Sequence, residues 1–136
     1  MTTLLDRPKK TAGLRHVALF VEDLAACEHF YVNLLEMTVE WRPDNENVFL
    51  TSGNDNLALH KRHSEIDKLQ QRLDHIGFII DEIDQVDVWY EFLRKQNVVM
   101  LSEPRTHRDG ARSFYCLDPD GTTVQMIYHP PISKGK

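Results

Sequence analysis

Seven histidines occur in this chain of 136 residues, and two of them are placed alike in a repeated pattern. His16 and His75 lie 59 residues apart, each third in a run of eight strand-forming residues, LRHVALFV at 14–21 and LDHIGFII at 73–80. His60 and Gln125 are matched in the same way, 65 residues apart, each closing a run of five, NLALH at 56–60 and GTTVQ at 121–125. A lone histidine in an apolar strand is ordinarily a core residue with a backbone partner. Paired placement changes that reading. If two copies of one unit are related by a pseudo-twofold axis, His16, His60, His75 and Gln125 are expected to converge near it. Three imidazoles and a carboxamide suit a borderline divalent metal, which takes imidazole nitrogen readily. All four are neutral, so a bound ion would keep its positive charge and favour an anionic or chelating oxygen substrate.

A second group lies in the segment RTHRDGAR at 105–112, where Arg105, His107, Arg108 and Arg112 are concentrated in an otherwise acidic chain. Guanidinium forks match carboxylate and phosphate, so this segment is a candidate anion-recognition loop. Arg105, Arg112 and Tyr115 are candidate substrate contacts, and His107 is the candidate proton carrier. Trp41 and Phe49 are candidates for a pocket wall, although strand aromatics more often fill a core. Only two cysteines occur, Cys27 and Cys116, in no CxxC spacing, which argues against a disulfide scaffold or a thiolate zinc site. Cys27 falls on an apolar helix stripe, whereas Cys116 faces either core or cleft.

These residues need a scaffold that repeats, and the rest of the chain supplies one. The offset of 59 continues past the histidines: Leu24 matches Ile83, Cys27 Val86, Phe30 Trp89, Tyr31 Tyr90 and Leu34 Leu93. Apolar positions at spacings of three and four predict a helix laying one face on a core, with Asp23 and Asp84 placed to cap the two helix starts. Later the offset becomes 65, matching NVFLT at 47–51 with RSFYC at 112–116. The six residues gained fall in SEPRTHRDGA at 102–111, which reads as a lengthened loop. Strands are expected at 37–42, 47–52 and 56–61, then at 98–101, 112–117 and 122–128. Turn chemistry at Ser52-Gly53 and Asp118-Pro119-Asp120-Gly121 joins paired strands. The unit is βαβββ. Copy 1 spans about 14–61 and copy 2 about 73–128, joined by a charged linker at 62–72 with room for a short helix. Residues 1–13 and 130–136 are expected to be flexible tails around one domain at 14–129.

Composition limits the function classes. The formal net charge is −5, unsuited to general nucleic-acid binding. No apolar run approaches the roughly 20 residues of a membrane span, and the opening residues lack the apolar stretch of a secretory signal, so a cytoplasmic protein is expected.

The runs LRHVALFVEDL at 14–24 with Phe30-Tyr31 and Leu34-Leu35, LDHIGFII at 73–80, FYCLDPDG at 114–121 and VQMI at 124–127 resemble the vicinal oxygen chelate superfamily. That group includes glyoxalase I, methylmalonyl-CoA epimerase, extradiol dioxygenases, and fosfomycin- and bleomycin-resistance proteins. The resemblance covers residues 14–128 and implies an α+β fold: two tandem βαβββ modules forming a curved, cup-like mixed sheet around a metal cleft, commonly in a homodimer. It places the metal ligands at His16, His60, His75 and Gln125, from one chain or two, with a Ni, Zn, Fe or Mn ion. His60 stands where glyoxalase-type members have glutamate and the epimerase glutamine, and Gln125 where most metal-dependent members carry glutamate. A glutamine there can neither neutralise the ion nor take a substrate proton. The resemblance implies a metal-dependent enzyme with a small-molecule substrate and non-redox glyoxalase- or epimerase-like (lyase or isomerase) chemistry. The alternatives are an extradiol-type Fe(II) dioxygenase and a metal-free, bleomycin-resistance-like binding protein.

Overall fold

The computed structural model describes residues 3–34, 36–63, 73–117, 119 and 121–133. Leu35, most of the expected linker, Asp118 and Asp120 of the expected turn, and the last three residues lie outside the described residues. Two compact units divide the chain: Arg15–His75, and the residues from Ile76 onward together with those up to Leu14. Each carries the elements of one βαβββ module, in an α+β fold. Among the described residues, no helix is long and apolar enough to cross a membrane.

In the unit Arg15–His75, β1 (Gly13–Val21) is followed by α1 (Leu24–Glu28), a π-helical continuation (His29–Leu34), β2 (Thr38–Asp44), β3 (Asn47–Thr51) and β4 (Asn56–Lys61). The strand order is β2-β3-β4-β1, antiparallel except for the closing β1–β4 pair, which is parallel. Period-two alternation sorts the side chains. Val21, Val48, Leu50 and Leu59 face the helix and form its core, with Leu24, Cys27, Tyr31 and Val32 packed on them. The opposite face carries His16, Asn56 and His60, with fully buried Ala18 and Ala58 between the polar positions.

The other unit repeats this with β5 (Leu73–Ile79), α2 (Gln85–Lys95), β6 (Arg105–Thr106), β7 (Arg112–Leu117) and β8 (Thr123–Tyr128), in the order β5-β8-β7-β6. Val86, Trp89 and Phe92 of α2 pack on Phe114, Cys116, Met126 and Tyr128. Cys116 is therefore a core residue. Ser113, Tyr115 and Gln125 alternate to the face away from α2.

Several local expectations change. The first helix widens into a π-turn, and the extra residue per turn moves the buried stripe. Tyr31 and Val32 reach the core, while Phe30 and Leu34 are 47% and 61% exposed. The strand expected at 98–101 is an edge segment held to β7 by a bridge from Met100 to Cys116, with Leu101 N donating to Tyr115 O at 2.9 Å. The inserted loop itself contributes β6, which pairs Arg105 with Ser113 and Thr106 with Arg112. The segments expected as tails are tied down where they are described. Trp89 Nε1 donates to Lys9 O at 3.2 Å, and Ala12 N to Ile79 O at 2.6 Å. Ile132 is buried, and the fully buried Ser133 donates its hydroxyl to Ile80 O at 2.9 Å.

The two expected caps also differ. Asp23 Oδ1 accepts from Ala26 N at 3.0 Å, whereas Asp84 adopts helical backbone angles and makes no side-chain cap bond. Replacing Asp23 by alanine should therefore lower the unfolding free energy by about 1 kcal/mol, and Asp84→Ala by less than about half of that. Urea denaturation of the two variants checks the difference.

Candidate metal centre

Three of the four expected ligands, His16, His60 and His75, belong to the unit Arg15–His75. His16 stands on the face of β1 away from the helix, opposite Asn56 in the parallel ladder, and it is buried. Its Nδ1–H donates to Asn56 Oδ1 at 2.8 Å. The carboxamide cannot turn over, because Asn56 Nδ2 donates in turn to Glu40 Oε2 at 3.0 Å. A register shift in β2 between Val39 and Trp41 accompanies this arrangement. Glu40 bonds Asn56 while Trp41 still pairs with Phe49. Bulges commonly re-aim a side chain in this way.

His60 is built on the same plan. Its Nδ1–H donates to Asn47 Oδ1 at 2.6 Å, across the antiparallel register of β3 and β4. Asn47 is oriented by donating Nδ2 to Asp44 Oδ1 at 2.8 Å. Phe49 meets the His60 ring edge-on at 5.8 Å and stacks on Trp41 at 5.3 Å, so the aromatic pair walls this histidine. His75 uses an acid instead: its Nδ1 lies 3.2 Å from Asp74 Oδ2.

All three rings thus have Nδ1 engaged by an oxygen acceptor, the arrangement that fixes a tautomer and presents Nε2 to a metal. His16 and His75 present their Nε2 atoms to each other, 2.8 Å apart. His60 is not grouped with them closely enough to complete a set. Among the described residues, no three side chains drawn from His, Cys, Asp and Glu are arranged to hold an ion by themselves.

Gln125, the fourth expected ligand, lies in the other unit, paired with Gly77 on one side and Tyr115 on the other. It is buried, and its Nε2 donates to Ser113 Oγ at 2.8 Å. Its Oε1 is buried with no hydrogen-bond partner among the described residues. A buried carbonyl oxygen in that state costs free energy unless something else coordinates it. His107 Nε2 lies 2.7 Å from the same Ser113 hydroxyl. Gln125, Ser113 and His107 therefore form one chain, with Tyr115 and Arg105 in register on the same face. Arg112 points the other way: it donates to Asp87 Oδ1 of α2 at 2.9 Å and to Thr106 Oγ1 at 3.0 Å. Its guanidinium is a strut between helix and sheet.

Imidazole Nε2 atoms of fixed tautomer suit a divalent ion, and so does, in the other unit, a carboxamide oxygen with no hydrogen-bond partner among the described residues. The electrostatics differ from the sequence expectation of an uncompensated ion. Asp74, Glu40 and Asp44 place carboxylates behind the three imidazoles, Asp74 directly and the other two through asparagines. The sequence did carry a signal for the two asparagines, since Asn is depleted in strands and here recurs at positions 47 and 56 within apolar alternation. Nothing in the sequence distinguishes Ser113 from an ordinary strand serine.

Burial holds the His60 ring below the ordinary histidine value of 6.5, helped by the nearby His75 and opposed by Asp74 and Asp44. The hydrogen bond from His75 holds the Asp74 carboxyl below its ordinary 3.8, against desolvation. Burial and Arg105 lower His107, so its ring is neutral at pH 7. A group whose pKa is depressed by folding binds its proton less readily folded than unfolded, so its contribution is lost on acidification. For His60 that contribution is complete above 6.5 and declines as the pH falls from there toward the lowered folded value. Metal-free protein should accordingly have a lower urea midpoint at pH 5.5 than at 7.5, and His60→Gln should flatten part of that decline.

Comparisons with known proteins agree with this architecture. Residues 13–126 match the model of the Glyoxalase/Bleomycin resistance protein/Dioxygenase superfamily. A metallothiol transferase FosB from Staphylococcus epidermidis is 28% identical over 118 residues, covering 84% of this chain and 80% of that protein. Among solved structures, the 2,3-dioxygenase LapB from Pseudomonas sp. KL28 superposes with a TM-score of 0.74 at 16% identity, over 88% of this chain and 43% of that one. A Streptomyces coelicolor methylmalonyl-CoA epimerase superposes with a TM-score of 0.70 at 20% identity, over 91% of this chain and 99% of the epimerase. The family model covers most of the chain, including both histidine strands. The chain belongs to the glyoxalase/bleomycin resistance protein/dioxygenase superfamily.

Proposed function

We propose that this protein is a divalent-metal-dependent enzyme acting on a small, oxygen-chelating, anionic substrate by non-redox chemistry of the glyoxalase or epimerase kind. His16 and His75, whose Nε2 atoms already face each other, would hold the ion; His60, expected from the sequence as a third ligand, stands too far along β4 to join them. Gln125 would add Oε1, from the same chain or from a second copy in a homodimer. The observation that carries this reading is the buried Gln125 Oε1, which has no hydrogen-bond partner among the described residues while its own Nε2 is held by Ser113. A carboxamide fixed on its donor side and open on its acceptor side is oriented as a ligand.

When bound, the ion supplies Lewis-acid stabilisation of negative charge on substrate oxygens. The residues of the chain do the rest. Arg105 sits on the Gln125 face, where its guanidinium can receive an anionic group of the substrate. His107, neutral at pH 7 and joined to Gln125 through Ser113, is placed to carry the proton that a glutamine cannot. Trp41 and Phe49 exclude water on the His60 side. A second reading, metal-assisted transfer of a thiol, is favoured by the likeness to the FosB proteins along most of the chain. Metal-dependent loss of free thiol in the presence of a candidate electrophile distinguishes it.

His16→Ala and His75→Ala should each abolish divalent metal binding in calorimetric titration while the protein stays folded by circular dichroism. Undiminished affinity in either variant would mean that the ring is not a ligand. Gln125→Glu should tighten metal binding by about 1–2 kcal/mol, since a charge is added beside the ion at some desolvation cost. The same variant should bind an anionic ligand more weakly. Elemental analysis of protein purified without added metal separates the chemistries: nickel, zinc or manganese agrees with the non-redox reading, and iron favours a dioxygenase.

A further inference from the structure

A cavity of about 400 Å³ opens in the unit that carries α2, on the helix side of the sheet. Phe78 of β5 with Val124 and Met126 of β8 line it from the sheet, all three on the face turned away from Gln125. Trp89 and Leu93 line it from α2, and Val98 from the segment that follows. The remaining side is built by residues 7–11, which contribute Arg7, Lys10 and Thr11. That stretch was expected to be a flexible tail. It is instead fastened beside the cavity at both of its later residues, with Trp89 Nε1 donating to Lys9 O at 3.2 Å and Ala12 N to Ile79 O at 2.6 Å.

The lining divides by polarity. Met126 and Trp89 are buried, and Phe78, Leu93, Val98 and Val124 are half-buried because one side of each faces the cavity rather than the core. Water against these side chains is displaced favourably by an apolar body, whereas a polar group taken among them would lose its hydrogen bonds. Charge is confined to the exposed Arg7 and Lys10, both positive, and no carboxylate lines the cavity among the described residues. Neither cation makes an ion pair or side-chain hydrogen bond with another described residue, in a chain whose net charge is −5. The volume falls within the roughly 300–1,000 Å³ of small-molecule sites. We propose that this cavity binds a medium-chain alkyl carboxylate, its chain against Phe78, Val124 and Met126 and its carboxylate at the opening beside Arg7 and Lys10. The cavity shares no residue with the candidate metal centre, and neither assignment depends on the other.

The test titrates the full chain with octanoate, butanoate and 1-octanol by calorimetry and follows methyl ¹³C–¹H spectra to locate the ligand. Octanoate should bind in a one-to-one complex, more than about 10-fold tighter than butanoate, because each methylene buried adds to the transfer gain. It should shift the methyl signals of Val98, Val124 and Met126 and leave those of Val48 and Leu50 in the other unit in place. Arg7→Gln combined with Lys10→Gln should weaken octanoate about 3- to 10-fold at low salt, with a smaller loss at high salt, and leave 1-octanol unaffected. Val98→Trp, which fills the cavity, should abolish octanoate binding. Should that variant fail to fold, the glutamine pair at exposed positions carries the test with the spectra. Absence of octanoate binding, or binding that leaves the cavity methyls unmoved, would overturn the proposal. So would equal affinity of octanoate for the glutamine variant, or 1-octanol binding as tightly as octanoate, since the cavity would then read only the apolar body. Movement of the same methyl signals with protein concentration, without ligand, would mean that a second copy covers the cavity and would equally overturn it.

Discussion

Two imidazole nitrogens 2.8 Å apart, His16 Nε2 and His75 Nε2, are the constraint around which the unit Arg15–His75 is arranged. Two lone pairs cannot face each other at that distance without a proton or another cation between them. The Nδ1 atoms are already held, one by Asn56 and the other by Asp74. The rings therefore cannot turn to relieve the contact, and the site is prepared for positive charge. Buried polar groups in this number are tolerable only because nearly every atom has its partner, which is why the outer layer of Asn47, Asn56, Glu40, Asp44 and Asp74 is as much a part of the site as the histidines.

The sheet makes that arrangement possible by keeping its two faces apart. Alternation sends Val21, Val48, Leu50 and Leu59 to the helix side, where they form an uninterrupted apolar core. The other side is left to His16, Asn56 and His60 over the small residues Ala18 and Ala58. The second unit divides in the same way, with Phe114, Cys116 and Met126 against α2, and Ser113, Tyr115 and Gln125 on the reverse. Substitutions on one face are consequently expected to act on stability and those on the other on chemistry, with little crossover. Arg112 illustrates the rule by its exception: it is charged, but its parity puts it on the helix side, and it becomes an ion pair with Asp87.

Charge is distributed in layers. The imidazoles and the carboxamide proposed as ligands carry no charge of their own. The carboxylates stand one bond further out, where they orient and polarise the rings without competing for a coordination position. Family members with a glutamate ligand put that charge on the ion directly. Here the equivalent residue is the neutral Gln125, and His107, its pKa lowered by burial and Arg105, is joined to it through the Ser113 hydroxyl.

The repeat at offsets of 59 and 65, the apolar periodicity and the turn residues were legible in the sequence and determined the βαβββ modules, the strand faces and the candidate ligands. Each of these depends on local pattern, and local pattern survives in a linear chain. What the sequence could not decide were matters of register and three-dimensional neighbourhood. The π-turn took Phe30 and Leu34 off the first helix's expected stripe, kept Tyr31 and added Val32, and the inserted loop contributed the edge strand β6. Asn47, Asn56 and Glu40 acquired their roles only when cross-strand pairing and the irregularity in β2 placed them behind the histidines. Arg112 lost the role expected of it because a single step along β7 reverses the direction of a side chain. Which residue types are present is a property of the sequence; which atoms meet is decided by pairing between strands distant in the chain, because a hydrogen bond requires a position within a few tenths of an ångström that no local preference can specify.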